Sequence, residues 1–489
     1  MLLRNVRLVP VDRPAPEYPV AVRLAGDRVV EVGPGLVPGA GEDSLDGAGR
    51  WLMPGLWDAH VHLGQWARQG TRVDLAGSAS RDVALARVAG AVGGPGLLVG
   101  GGYRPATWGE PPTVAALDAV TGERSVVLVS GDAHAGWLNS AALRRFGLAQ
   151  RSGPITEAAW FAVLPAVLAE EDELVGPGAY AVALRAAAGR GVVGVNDFEF
   201  EPGFANWPQR YARAGVPLRV RTSTYPVDLD AAVAAGLRTG SLPDPDQPLL
   251  TMGSLKIISD GSLNTRTAHC WEPYPDGGHG VQNVAAGELA DLLGQARRAG
   301  LEVALHALGD AAVTLAVDAF AATGATGSVE HAQLIRRTEM ARMAALGLIA
   351  SVQPAHLLDD RAVTPAIWGE ERAGRSFPLR ALRDAGVRLV LGSDAPVAPL
   401  DPWLAIAAAV HRGDPGDPAW HPEQALTAAE ALAASTAGAG TVRVGQVADL
   451  ALLDADPLAP GEPAKVARGL RGMRVATTIV AGRIVHDDR

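Results

Sequence analysis

Met53-Pro54-Gly55-Leu56-Trp57-Asp58-Ala59-His60-Val61-His62-Leu63 reads as a turn followed by a buried strand that ends in His-x-His. Side chains two apart on a strand share a face. His60 and His62 therefore aim the same way, and Val61 packs on the other side. Two imidazoles side by side at a strand end form one edge of a divalent-metal site. A bare His-x-His also occurs in exposed loops. The apolar run before this one gives it weight, and further ligands elsewhere in the chain would test it.

Working outward, apolar runs at 192–197, 218–225, 253–259, 301–306, 327–331, 348–353 and 387–393 alternate with helical patterns at 204–214, 285–299, 310–321, 338–345 and 379–385. With the first strand they make eight. Eight βα units predict an α/β fold of the closed (β/α)8, TIM-like barrel type rather than an open sheet. Residues 64–190, rich in Ala, Gly and Pro, interrupt the alternation after strand 1 with a strand at 125–130 and a helix at 140–146. They are expected to form an inserted subdomain or lid. At the ends, 20–25 and 28–33 flank a Gly26-Asp27 turn, 447–454 is a strand, and 475–480 with 483–486 flank Ala481-Gly482. Neither end can bury a core alone. Both termini are expected to join in one small β-sandwich domain, dividing the chain into 1–54, 55–440 and 441–489.

The chain has 489 residues, 48% of them apolar, which suits one large barrel with additions. Its net charge of −10 argues against nucleic-acid or membrane-surface partners. Cys270 is the single cysteine, so no intrachain disulfide forms. The N-terminus has charges within its apolar stretch, and no uncharged apolar run approaches the length of a membrane span. A cytoplasmic protein acting on a small molecule is the expectation.

In such barrels the chemistry sits at the C-terminal ends of the strands. The fourth strand carries Lys256 within an apolar run, the fifth ends in His306, the sixth in Glu330-His331 and the eighth in Asp394. A strand-end Asp can cap a helix and a strand-end His can be merely hydrogen-bonded, but five such endings on one rim exceed what capping and packing explain. Lys256 is one of two lysines, with Lys465. A buried ammonium is costly unless paired, and burial lowers its pKa. A neutral lysine amine can take up carbon dioxide to give a carbamate that bridges two cations. The alternative is an ion pair with Asp260 or Asp394.

His60-x-His62, Lys256, His306, His331 and Asp394 together resemble the amidohydrolase superfamily. Gly131-Asp132-Ala133-His134-Ala135-Gly136-Trp137-Leu138-Asn139, the Asp-Gly-Ser of 255–263, the His-Ala-x-Gly-Asp of 305–310, Val329-Glu330-His331-Ala332-Gln333 and Gly392-Ser393-Asp394-Ala395-Pro396 narrow this to the amidohydrolase family 3 branch, which includes N-substituted formamide deformylase-like enzymes. The resemblance implies that His60, His62 and Asp394 hold one metal, that His306 and His331 hold a second, and that carboxylated Lys256 bridges them. It implies attack by a metal-bound hydroxide on a non-peptide C–N bond of amide or N-formyl type, with Asp394 as general base and then acid. The ligand types suit zinc, one ion or two, with Mn, Fe or Co as alternatives. His134 would polarise the carbonyl or contact substrate, against a structural role. Glu330, on the opposite strand face from His331, and Asp197 would anchor ligands from behind. The loops 260–282, with Arg266, His269, Cys270, Trp271 and Tyr274, and 359–375, with Trp368, suit a pocket wall. His411, His421 and His486 read as surface or helix-end histidines. Barrels of this kind often dimerise, so a homodimer is an expectation. The same ligands would also serve hydrolysis of a lactone or ester, or a deamination. A non-catalytic scaffold would have lost ligands, and here every ligand type is present.

Overall fold

The computed structural model describes residues 1–94, 96–176, 178–215 and 218–489. Eight parallel strands surround one axis: β1 (Leu56–Val61), β2 (Val192–Asp197), β3 (Arg219–Thr224), β4 (Leu250–Ile258), β5 (Val303–Ala307), β6 (Gly327–His331), β7 (Ile349–Val352) and β8 (Arg388–Leu391). They are hydrogen-bonded in the order β8-β7-β6-β5-β4-β3-β2-β1. A parallel bridge from Val61 to Ala395 joins the two ends. There Asp394 N donates to His60 O at 2.7 Å and His62 N to Ala395 O at 2.9 Å. The result is a nearly closed TIM-like barrel, as the eight apolar runs predict.

The outward faces of these strands pack on a ring of helices. Leu255, Ile257, Leu305 and Val329 share one core with Leu293, Val317 and Phe320 from helices Ala286–Ala299 and Asp310–Thr323. Fully burying each leucine stabilises by about 1.5–3 kcal/mol. Two glycines permit close approach. A Cβ on Gly55 would lie 2.1 Å from Val193 Cγ1, and one on Gly392 would lie 2.7 Å from His60 Cβ. Gly392 thus lets the end of β8 lie against His60.

The turn expected at Pro54-Gly55 is not a turn. Trp51–Pro54 is itself a strand, with Pro54 opposite Leu450, and the chain passes into β1 after a break at Gly55 alone. Strands from both ends of the chain pair in the order Arg483–Asp487, Val475–Val480, Leu450–Leu453, Trp51–Pro54, Leu2–Leu8, Val20–Ala25, Arg28–Gly33, with Ser44–Asp46 added beside Leu2–Leu8. Leu3, Val22, Leu52, Leu450 and Ile479 are buried together there.

Between β1 and β2 lies a five-stranded sheet in the order Ile155–Thr156, Ala135–Leu138, Val126–Ser130, Leu98–Tyr103, Val73–Asp74. Val127, Val129, Trp160 and Leu164 are buried on it. The later helix Gly178–Gly189 instead packs Tyr180, Ala183 and Leu184 against Val61, Val195 and Val220 on the barrel wall. Among the described residues no helix is long and apolar enough to cross a membrane.

Candidate metal centre

The strand register brings the predicted ligands to one rim. Ile258 lies beside His306, and Ala307 beside His331. His60, His62 and Asp394 place one ligand atom each within 4.8 Å of one another, and so do His331, His356 and Asp394. Asp394 joins the two groups. Its Oδ1 lies 3.4 Å from both His60 Nε2 and His62 Nε2. The His306 ring sits edge-on to His331 at 4.6 Å between centroids, outside either tight group.

His356 is a member that strand-end reading missed. It opens the short helix His356–Asp360, beyond the end of β7. Its Nε2 lies 3.8 Å from Asp394 Oδ2.

Two of the grouped residues leave regular strand geometry. His331 has φ 70° and Asp394 φ 57°. Non-glycine residues pay about 1–3 kcal/mol for such conformations and are held there by their surroundings. The turn at His331 corrects the expectation that it and Glu330 serve opposite faces. Glu330 Oε2 accepts from His60 Nδ1 at 2.7 Å, inside the barrel, while the His331 ring lies 5.2 Å from that of His60. Both therefore reach the same site. With Nδ1–H committed to Glu330, the His60 Nε2 lone pair faces Asp394 and Lys256.

Lys256 is buried among the ligands. Its Nζ lies 3.2 Å from His60 Nε2 and 4.4 Å from the centre of the Phe198 ring. The ion pairs considered for it are not formed: Asp394 contacts His60, His62 and His356, and Asp260 contacts His306 at 3.0 Å. Burial pushes the Lys256 amine down to about 8, against the pull of Glu330 and Asp394. Burial and neighbouring cationic groups hold His60 and His331 well below the ordinary histidine value. These imidazoles are neutral, the form that ligates metal. Burial raises Asp394, but the His62 hydrogen bond and the electrostatic pull of the surrounding histidines outweigh it and hold the carboxyl far below its usual range. His62 Nδ1, His331 Nδ1 and His306 Nε2 are buried without a hydrogen-bond partner, while His306 Nδ1 faces Asp260. Imidazole nitrogens left unpartnered in the interior are costly to bury, and neutral imidazoles gathered around a carboxylate fit a divalent cation.

His134 comes from the inserted sheet and faces His306, with ring centroids 5.4 Å apart. Its Nδ1 donates to Glu157 Oε2 at 3.0 Å. Glu157 Oε1 also accepts from Thr265 at 3.0 Å and Thr267 at 2.6 Å, in the loop after β4. Burial opposes the charge on His134, but Glu157 outweighs it and raises the imidazole to about 9. Ser262 Oγ donates to Asp132 at 2.5 Å, a second tie between that loop and the inserted sheet. Together these walls leave a cavity of about 30 Å³, lined by Arg104, Asp132, His134, Asn264, His306, His331, His356 and Asp394 among others.

Several other expectations resolve locally. From residues 260–282 the cavity takes Ser262, Leu263 and Asn264, not Arg266, His269 or Trp271. Cys270, Tyr274 and Trp368 pack into a core with Leu263 and Leu308. Burial lifts the Cys270 thiol to about 12, which leaves it inert. Asn139 caps helix Ser140–Arg145, accepting from Ala142 N at 2.9 Å. Asp197 accepts from Leu63 N at 3.0 Å and Trp207 Nε1 at 2.7 Å, so it fixes the backbone beside His62. His411 ends its helix buried, bound to the Asp414 and Asp417 carbonyls, and does not lie at the surface.

Comparison with known proteins gives this geometry a context. A sequence profile of the amidohydrolase family matches residues 44–486. The chain is 28% identical to the protein LONG AFTER FAR-RED 3 of Arabidopsis thaliana, over 93% of this chain and 87% of that one. It is 29% identical to an N-substituted formamide deformylase of Arthrobacter pascens, over 50% of this chain and 47% of that one. The crystal structure of an uncharacterized metal-dependent hydrolase from Pyrococcus horikoshii superposes with a TM-score of 0.77 at 26% identity, covering 94% of this chain and 98% of that one.

Proposed function

This chain belongs to the amidohydrolase family, and from that membership we propose that it hydrolyses a non-peptide C–N bond, of amide or N-formyl type, in a small molecule. The observation that carries the reading is the sharing of Asp394 between two groups of histidines at the barrel rim. The formamide deformylase of Arthrobacter pascens, matched over part of its length, favours the N-formyl class.

His60, His62 and Asp394 would hold one cation, zinc by ligand type, and His331 with His306 or His356 a second. Lys256, beside His60, would when carboxylated supply a further carboxylate to the cations. A bound divalent cation supplies Lewis acidity and lowers the pKa of water from about 16 to near 7.

The chain's own residues do the rest. Asp394 takes a proton from the attacking water and returns it to the departing amine nitrogen. The His134 imidazolium, held by Glu157, donates to the carbonyl oxygen as negative charge develops there. Glu330 fixes the His60 ring and its tautomer. The five-stranded sheet carrying His134 acts as a lid that excludes water from the cavity. The protein works on small molecules without nucleic-acid or membrane partners, as a homodimer.

The test is a substrate panel for zinc-loaded protein: N-substituted formamides, N-acylated amines, lactones and aminated heterocycles. Release of formate and free amine, abolished by chelation, is the expected result. Turnover of lactones or heterocycles alone would move the activity to ester hydrolysis or deamination.

A further inference from the structure

A cavity of about 910 Å³ opens at the N-terminal end of the barrel, where Trp57, Arg221 and Arg388 line its mouth. It reaches inward to Phe198 and Glu330. Barrels of this type fill that space with layers of branched apolar side chains. Here small polar side chains, Asn196, Ser223, Ser328 and Ser351, stand among the apolar ones of the wall. Ser351 Oγ and Asn196 Oδ1 are buried there without a protein partner, and buried groups of this kind are normally satisfied by water.

The inner end of the cavity adjoins Lys256. Phe198 lies 4.4 Å from Lys256 Nζ. Glu330 binds the same His60 ring that Lys256 touches, at 2.7 Å and 3.2 Å. On the other side, the rim cavity is about 30 Å³; Lys256 itself lines neither space, and the groups that touch it or its His60 partner from the wider one are Phe198 and Glu330.

We propose that this axial column is the passage by which carbon dioxide reaches Lys256 from the N-terminal face of the barrel. The proposal rests on Lys256 being carboxylated, as in the function proposed above. The Nζ lone pair forms the N–C bond, a C=O electron pair moves onto oxygen, and one Nζ proton leaves to water in the column. Carbon dioxide is small and uncharged, so a passage of mixed apolar and hydroxyl lining admits it without competing with substrate at the rim.

The test uses a reversible plug. Ser223→Cys places a thiol on the column wall, while the native Cys270 is buried. The folded variant is labelled with a benzyl methanethiosulfonate, supplied with carbon-13 bicarbonate while free of metal, and followed by NMR for growth of the carbamate signal. Labelling should slow that growth by an order of magnitude, and thiol reductant should restore it. Ser223→Leu should match the labelled protein. Equal rates with and without the plug overturn the passage while leaving the carbamate intact, as does an introduced thiol that no small reagent reaches. A missing carbamate signal in the unplugged protein overturns the carboxylation, and the passage with it.

Discussion

At the C-terminal end of the barrel axis, imidazoles and Asp394 crowd around a space of about 30 Å³. Toward the N-terminal end of the barrel, small side chains such as Ser223, Ser328, Ser351 and Asn196 among larger apolar ones leave about 910 Å³. The first region holds His331 and Asp394 in left-handed backbone conformations and keeps imidazole nitrogens unpartnered in the interior. The second carries no such strain at Ser223, Ser328 or Ser351. Stability is sacrificed where ligands must converge, and side-chain volume is given up where they need not.

That contrast can be broken, most severely at Asp394. Asp394→Asn should lower kcat by about 10²–10⁴-fold, with the far-UV circular dichroism of the fold unchanged. Turnover at the parental rate would remove Asp394 as proton carrier. Next, Lys256→Ala should strip the protein of metal, read by elemental analysis, and short carboxylic acids should restore part of it. Full metal occupancy without them would reduce Lys256 to a packing residue. Glu330→Gln should weaken metal affinity by about 10–100-fold, because the His60 ring exchanges a charged acceptor for a neutral amide and becomes a poorer donor to the metal. Unchanged affinity would show that the Glu330 contact orients nothing.

The pH dependence sharpens the picture at the lid. The folded-state pKa of His134 is raised from 6.5 to about 9, so its proton is held below that pH and lost above it. Its contribution to stability is complete below 6.5 and fades as pH rises through about 9. kcat/KM should therefore fall on an alkaline limb near 9, and Glu157→Gln should move that limb down. A limb that stays in place would detach His134 from the reaction. The smallest effect is expected in the other region: Ser223→Val should change unfolding free energy by less than about 1 kcal/mol, measured in urea. A large loss there would mean that the column wall is as finely constrained as the rim.

The barrel was legible because its strands are buried on both faces and read as unbroken apolar runs. His60, His62, Lys256, His306, His331 and Asp394 were legible because they end or occupy those runs. His356 was not, since it lies past β7 on a helical turn and follows no strand periodicity. That Glu330 and His331 reach the same site was hidden because strand alternation cannot announce the positive φ at His331. Most of the inserted sheet escaped notice as well. Val73–Asp74 and Ile155–Thr156 have two residues each, and Leu98–Tyr103 carries three glycines, a composition that argues against strand.

The seam between β1 and β8, where Asp394 N meets His60 O, has a consequence for biogenesis. The two halves of the first ligand group leave the ribosome 334 residues apart (394 − 60), a delay of roughly 20–70 s at ordinary elongation rates. Until then the paired histidines have emerged without their carboxylate, and capture of a cation by this group would wait for the last stave of the cylinder.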